Sequence, residues 1–500
     1  MAGIAVAAWS GLSYGALRRI GPVAAILLVG GALAWLPLPL AALAVVGSAL
    51  VGLILFHPVI GLILLVPLIP FSPLVAAHVG GLQVGGMEAL LALTLTAWII
   101  RMAVRGQINL PPSPLTVPWL LWLGVVFLSW TVALSIGAAL AETAKWIEML
   151  ALYLLVIATA ERRHLPWLLA AFLAAGAAQA VLGLVQFVAR IGPEGFLIFD
   201  GAYMRAYGTF RQPNPYAGYL GITLPLAFSL SLGGLDRLIQ RRCGPVRPWL
   251  WLSAGAATLL MLAAAYASQS RGAWLGIALA LVTVAAVRSR QAAAGFAGLV
   301  AVGALVLALG SARLLPPPVQ QRLSDVLPVL QIPDIATAEV TDANFALIER
   351  LAHWQAALDM WRDAPWLGVG IGNYAAVYPA YAVGRWRDPL GHAHNVYLNL
   401  GAETGLLGLC AYVVFWLSVL WFTASVIRRT HGLYRAVAAG GMGVFVAFAV
   451  HNSVDNLYVQ GMYLHVAVVL GLVAALASSP RLSGDPSAAG AGTERTESHN

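Results

Sequence analysis

The stretch Gly391-His392-Ala393-His394-Asn395-Val396-Tyr397-Leu398-Asn399-Leu400-Gly401-Ala402-Glu403-Thr404-Gly405-Leu406-Leu407-Gly408 sets two histidines, two amides and a carboxylate at the mouth of an otherwise apolar helix. Such a place is unfavourable for polar groups, because a low-dielectric surrounding offers them neither hydrogen bonds nor screening, so the pattern needs a chemical reason. Read as helix from Asn395, the spacing puts Asn395, Asn399 and Glu403 on one stripe, with His394 just before the first turn. Gly405 and Gly408 follow, small enough to let a neighbouring helix come close.

Composition agrees with a membrane setting for that helix. A chain of 500 residues that is 60% hydrophobic and only 10% charged is not a soluble globular protein. The expected fold is all-α, a polytopic transmembrane helix bundle. Apolar runs of roughly 17 to 25 residues recur from Ile20 to Leu476 and predict about twelve to fourteen helices. Basic residues gather in short loops at Arg18/Arg19, Arg101/Arg105, Arg162/Arg163, Arg237/Arg241/Arg242/Arg247, Arg288/Arg290 and Arg428/Arg429/Arg435. One helix pair between most clusters puts them all on one side, which the positive-inside rule makes cytoplasmic, with both termini inside. The net charge of +8 comes mostly from these loops, so it is a mark of orientation and not a nucleic-acid footprint. Arg18 and Arg19 precede an apolar run without a small-residue cleavage site, so the first helix is expected to be its own address. Cys243 and Cys410 suggest neither a disulfide framework nor a thiolate metal site.

Residues 1–190 read as a scaffold of helices, in which His57, His78, Glu88, Glu142, Lys145 and Glu148 are ionisable exceptions expected at helix ends or snorkelling to water. The connection Ile191 to Pro213 falls on the outer side and carries Glu194, Asp200, Arg205 and Arg211. Prolines on both sides of Asn214 fix a turn there before the next helix. A second outer turn, Ser268-Gln269-Ser270-Arg271-Gly272-Ala273-Trp274, places an arginine against the charge bias of the other short loops.

Residues 312–391 form the one long hydrophilic segment, an expected outer cap entered through Pro316-Pro317-Pro318. Within it Phe345, Leu347, Ile348, Leu351, Trp354, Leu358 and Trp361 recur at helical spacing over 343–363, with Asp342 available as N-cap, predicting an amphipathic helix on the membrane. Its polar face offers Glu349, Arg350, His353, Asp359 and Arg362, mostly as a solvated face. The run Gly368-Val369-Gly370-Ile371-Gly372-Asn373-Tyr374 has no βαβ surroundings and reads as tight backbone, not as a nucleotide loop. His451-Asn452-Ser453-Val454-Asp455-Asn456 makes another outer polar cluster, read as structural, and 479–500 as a disordered cytoplasmic tail.

The unusual polar groups thus collect on the outer side, whereas an ion pathway would spread them through the membrane depth. Several arginines with a histidine suggest an anionic, membrane-borne ligand, since guanidinium forks match phosphate oxygens and stay charged. A lipid diphosphate fits, and a histidine beside it can take a proton from an attacking hydroxyl. No outer Asp-x-Asp pattern offers a metal site, so the arginines would stabilise the leaving diphosphate without metal.

Four motifs carry a resemblance. Gly208-Thr209-Phe210-x-x-Pro213-Asn214, Ser270-Arg271-Gly272, Arg350, and His394-Asn395 followed after nine residues by Gly405-x-x-Gly408 together resemble the O-antigen ligase and polymerase superfamily, over Arg190 to Leu470. The resemblance implies a GT-C-type glycosyltransferase in the inner (cytoplasmic) membrane, with its core at 191–478 and its active site facing the periplasm. It implies a glycan donor on undecaprenyl diphosphate, an acceptor hydroxyl on lipid A core, a growing polysaccharide or a protein, and inversion at the anomeric carbon. It requires no cofactor or metal. Carried over, His394 is the base, and Arg211 and Arg271, with Arg205 and Arg350 as further candidates, hold the diphosphate. Asn214, Asn395 and Glu403 stand around them, and His392 is either a partner of His394 or a bystander. The alternative is a multi-pass transporter, because some proteins with this hydropathy and these motifs have been described as bicarbonate transporters; it predicts solute flux without any lipid-linked glycan.

Overall fold

The structure, a computed structural model, describes residues 31, 34–74, 76–79, 82–106, 111–199, 201–239, 248–308, 335–341 and 344–478. The helix expected from Ile20, Asp200, the basic loop around Arg241, the Pro316-Pro317-Pro318 entry, Asp342 and the tail from Ser479 lie outside the described residues, as do the side chains of His78, Arg237 and Arg290. The rest is helical: α1 (Leu38–Phe56), α2 (Pro58–Leu68), α3 (Gly86–Val104), α4 (Thr116–Ser129), α5 (Ile136–Thr159), α6 (Leu165–Ala189), α7 (Pro213–Ile239), α8 (Pro248–Ser268), α9 (Arg271–Arg288) and α10 (Arg290–Ala308). After these come α11 (Phe345–Asp363), the short α12 (Tyr374–Val377), α13 (Val396–Arg429), α14 (Gly432–His451) and α15 (Met462–Ser478). Two small antiparallel hairpins complete it, β1 (Ala76–Val79) with β2 (Leu82–Gly85) and β3 (Leu197–Ile198) with β4 (Tyr203–Met204).

Among the described residues eight helices, α1, α3, α6, α7, α8, α9, α13 and α14, are long and apolar enough to cross a membrane, fewer than the twelve to fourteen expected. The apolar segments at 58–74, 116–132 and 462–477 are shorter than a full crossing. Helix α5 has the length, 24 residues, but carries Glu142, Lys145 and Glu148.

Helix α14 sits at the centre, packed against α7, α9, α13 and α15. Its small residues allow this: a Cβ on Gly440 would come within 2.9 Å of the Leu226 Cα on α7. Without a hydrophobic force between lipid-embedded helices, such close approach is what dispersion and packing need. Toward α4, α5 and α13 the core is aromatic, with Trp119, Trp122, Trp146, Tyr412, Phe415 and Tyr458 interlocked at ring-centroid distances such as 4.6 Å for Trp119–Phe415 and 4.8 Å for Trp122–Trp146. Each edge or tilted pair contributes about 0.5–1.5 kcal/mol beyond its buried area.

Helix α11 differs from its expected orientation. It buries Ile348, Ala352, His353, Ala356, Ala357 and Met360, while Phe345 and Leu358 stay exposed. Small residues win because this face packs against α13 and the segment around Tyr374 and Tyr378, where there is no room for larger side chains.

Candidate functional site

The opening stretch is built as a cap rather than as a polar stripe. Asn395 is extended, with φ −160°, and its side chain accepts hydrogen bonds from the Tyr397 and Leu398 backbone N–H groups at 3.0 and 3.1 Å, capping α13. Asn399 accepts from the Ala393 N–H at 3.0 Å, and buried Glu403 accepts from the Tyr374 N–H at 3.0 Å. Asn395 and Asn399 therefore hold the loop that carries the histidines, whereas Glu403 holds the glycine-rich loop before α12. Gly405 leaves the helical conformation, with φ 64° and ψ −164°, and the Leu406 and Leu407 N–H groups freed there donate to the Pro365 and Trp366 carbonyls. The close neighbour that needs glycine at this point is thus the backbone after α11, not another helix: a Cβ would lie 2.2 Å from the Trp366 carbonyl carbon.

His394 stands before α13 with φ 50°, held by its N–H donating to Nδ1 of His392 at 3.1 Å and by its carbonyl accepting from the Trp354 indole. That first bond makes His392 a direct neighbour of His394 and places the His392 proton on Nε2. Nδ1 of His394 lies 3.4 Å from Oδ1 of Asp455, and Nη2 of Arg350 lies 4.0 Å from Oδ2 of the same carboxylate. Burial alone would raise the Asp455 carboxyl, but the His394 hydrogen bond and the charges of His451, Arg350 and His394 hold it well below the usual carboxylate range. An ionised Asp455 keeps the His394 proton on Nδ1 and leaves Nε2 with a lone pair. That Nε2 is buried and has no hydrogen-bond partner.

Beside this pair lies a cavity of about 260 Å³. Its charged lining is Arg205, Arg271, Arg350 and Asp455, with Asn214 and His451. Three arginines from separate parts of the chain thus line one cavity with one carboxylate, of which Arg350 is the one paired with it. The volume falls a little under the range for whole small ligands, which suits a headgroup better than an entire glycan. Arg271 is the first residue of α9, Arg350 is on α11, and Arg205 follows β4, its Nε donating to the Ser268 carbonyl at 3.0 Å and its Nη2 to Asn214 at 3.3 Å. His394 is not itself among the lining residues and meets the cavity through Asp455 and Arg350. Arg211 is placed elsewhere: it is exposed, and its Nη2 donates to the Pro73 carbonyl at 2.7 Å.

Two residues count for more than their sequence context suggested. Asp455 was part of a polar cluster read as structural, and its link to His394 spans 61 positions, which no local pattern reveals. His353, assigned to a solvated face, is buried, stacks on Tyr378 at 4.7 Å and lies 5.9 Å, ring to ring, from His394. Burial first, and then the charge of His394, depress its pKa to about 4; the same two causes lead for His392, also to about 4. Donor atoms of His392, His394 and Asp455 lie within 4.8 Å of one another, a set able in principle to hold a metal ion. The nearby Arg350 guanidinium opposes a second cation there.

Fold and site together define a polytopic α-helical membrane protein with an arginine-lined cavity beside an Asp–His pair at one end of its bundle. Residues 256–413 match the family model described as O-antigen ligase, so this part of the chain is similar to O-antigen ligases and ties the protein to membrane glycan transfer in general. The matched segment contains Arg271, Arg350, His392 and His394, and it ends before Asp455. No curated protein matches the chain.

Proposed function

We propose that the protein is a membrane glycosyltransferase that moves a glycan from an undecaprenyl-diphosphate carrier to an acceptor hydroxyl at the outer face of the inner membrane. The observation that carries this reading is the pairing of His394 Nδ1, whose Nε2 has no partner, with a buried, ionised Asp455 that itself lines a cavity with three arginines. The acceptor O–H gives its proton to His394 Nε2 as its oxygen bonds to the anomeric carbon. The bond from that carbon to the diphosphate oxygen breaks at the same time, and the electron pair leaves with the diphosphate. Arg205, Arg271 and Arg350 take up that charge, and displacement from the opposite face inverts the configuration. Asp455 steadies the imidazolium that forms, as in other carboxylate–histidine pairs.

The test is glycan transfer by the purified full chain supplied with lipid-linked donor and acceptor. His394→Ala is expected to reduce transfer to background with donor binding kept, and Asp455→Asn to lower turnover about 100-fold. Unchanged turnover in His394→Ala would remove the proposed base.

A further inference from the structure

The other end of the bundle holds a second built cavity, of about 460 Å³. It lies where the break between α1 and α2 at His57, the last turns of α3 and α5, and the start of α6 come together. Helix α5 links the two ends: Ser135, at its start, accepts from the Asn373 side chain near the His394 site, and Thr159, at its close, lines this cavity. Its 24 residues separate them by about 36 Å.

Arg101, Arg105 and Arg163 face the cavity, and Glu161 is the one carboxylate among the lining residues. Glu161 is already paired with Arg163 at 2.9 Å, so the charges of Arg101 and Arg105 are left without a lining counter-charge. Arg101 is aimed inward by its hydrogen bond to the Phe56 carbonyl at the α1–α2 break. Nδ1 of His164 accepts from the Glu161 N–H at 3.4 Å, and a hydrogen bond between the ring and the Thr159 backbone fixes it in the cavity wall. Under these polar groups Trp98 and Met102 supply an apolar floor. Helix α1, which ends beside the cavity, is apolar enough to cross a membrane, and its last turn leaves Leu53, Leu55 and Phe56 exposed among the described residues.

We propose that this cavity binds the phosphate of an anionic membrane lipid, with the arginines on the phosphate and the apolar floor under the glycerol and upper acyl chain. The donors fit phosphate oxygens whatever their source. The apolar floor and the exposed apolar turn of α1 favour a lipid, because a soluble phosphate makes use of neither.

Native mass spectrometry of the full-length protein, equilibrated with phosphatidylglycerol or with phosphatidylcholine, tests this. Phosphatidylglycerol should be retained in preference. Arg105→Gln and Arg163→Gln, both at exposed positions, should each lower its occupancy about fivefold. Arg429→Gln, an exposed arginine elsewhere at the same end, should leave it unchanged. Equal retention of the two lipids, or an equal fall in Arg429→Gln, would overturn the proposal in favour of undirected charge attraction. Displacement of the lipid by millimolar inorganic phosphate would overturn its lipid part and assign the cavity to a soluble anion.

Discussion

His394 occupies a left-handed backbone position, at a cost of about 1–2 kcal/mol for a residue with a Cβ. The Asn395 cap and the bond from the His394 N–H to His392 hold it there, so the imbalance is local and its compensation is in view. Two histidines beside it, His353 and His392, also make the protein sensitive to acid. His353 and His392 have pKa values near 4 in the folded state against about 6.5 in an unfolded chain, so the unfolded chain binds more protons between those values. Their contribution to stability is complete above about pH 6.5 and is lost as the pH falls toward 4. The melting temperature in detergent should therefore drop between about pH 7 and pH 4.5, and His353→Phe should make that drop shallower. Asp455 adds nothing in this window, since its folded value lies below the ordinary carboxylate range and its contribution disappears only under more acidic conditions. A melting temperature that stays flat across the window would show that these imidazoles are not held neutral by the fold.

At the scale of elements, the site depends on a loop that no secondary-structure pattern describes. Gly368, Gly370 and Gly372 all have positive φ, and a Cβ on Gly372 would come within 2.5 Å of the Ala138 carbonyl at the start of α5. The expectation of tight backbone at these glycines was correct, and the structure adds what they are tight against: α5 on one side and α13 on the other. Gly405→Ala and Gly372→Ala should each destabilise by about 2 kcal/mol or more, because strain and collision with backbone act together. Gly124→Ala is the matched control, a helical glycine with open space around it, and should be neutral or slightly stabilising. Thermal melting of the three variants checks this, and equal losses at Gly124 and Gly405 would refute the packing account. What could not be read beforehand was the rotation of α11. Large apolar residues at helical spacing were the visible signal, yet alanines and His353 form the buried face, since fit to a close neighbour outweighed hydrophobicity once lipid or solvent could take the larger side chains.

For the whole molecule, composition alone reached the class, because 60% hydrophobic residues leave an all-helical membrane bundle as the economical solution. Part of the arginine set was legible too: Arg271 stood out against the charge bias, Arg205 and Arg350 came in through the resemblance, and the three line one cavity. Arg211 shared that bias but turned to a backbone carbonyl, and Asp455 entered through a fold-level contact; neither outcome has a signature at short range. The proposed orientation rests on charges as well. The far end carries Arg101, Arg105, Arg163, Arg428 and Arg429 close to the ends of apolar helices, which the positive-inside rule takes as a cytoplasmic mark and which supports the outward-facing site proposed above. With Cys243 and Cys410 replaced by serine, a membrane-impermeant maleimide should label Leu390→Cys in intact cells, and Arg429→Cys only after permeabilisation. Leu390 is exposed in the loop that leads to His394, and Arg429 closes the long α13 at the opposite end, so the two positions differ in access to the reagent by the full depth of the bundle. The reverse labelling pattern would place the arginine cavity on the cytoplasmic side, where a glycan acceptor outside the cell could not reach it, and would defeat the transfer reaction proposed for His394.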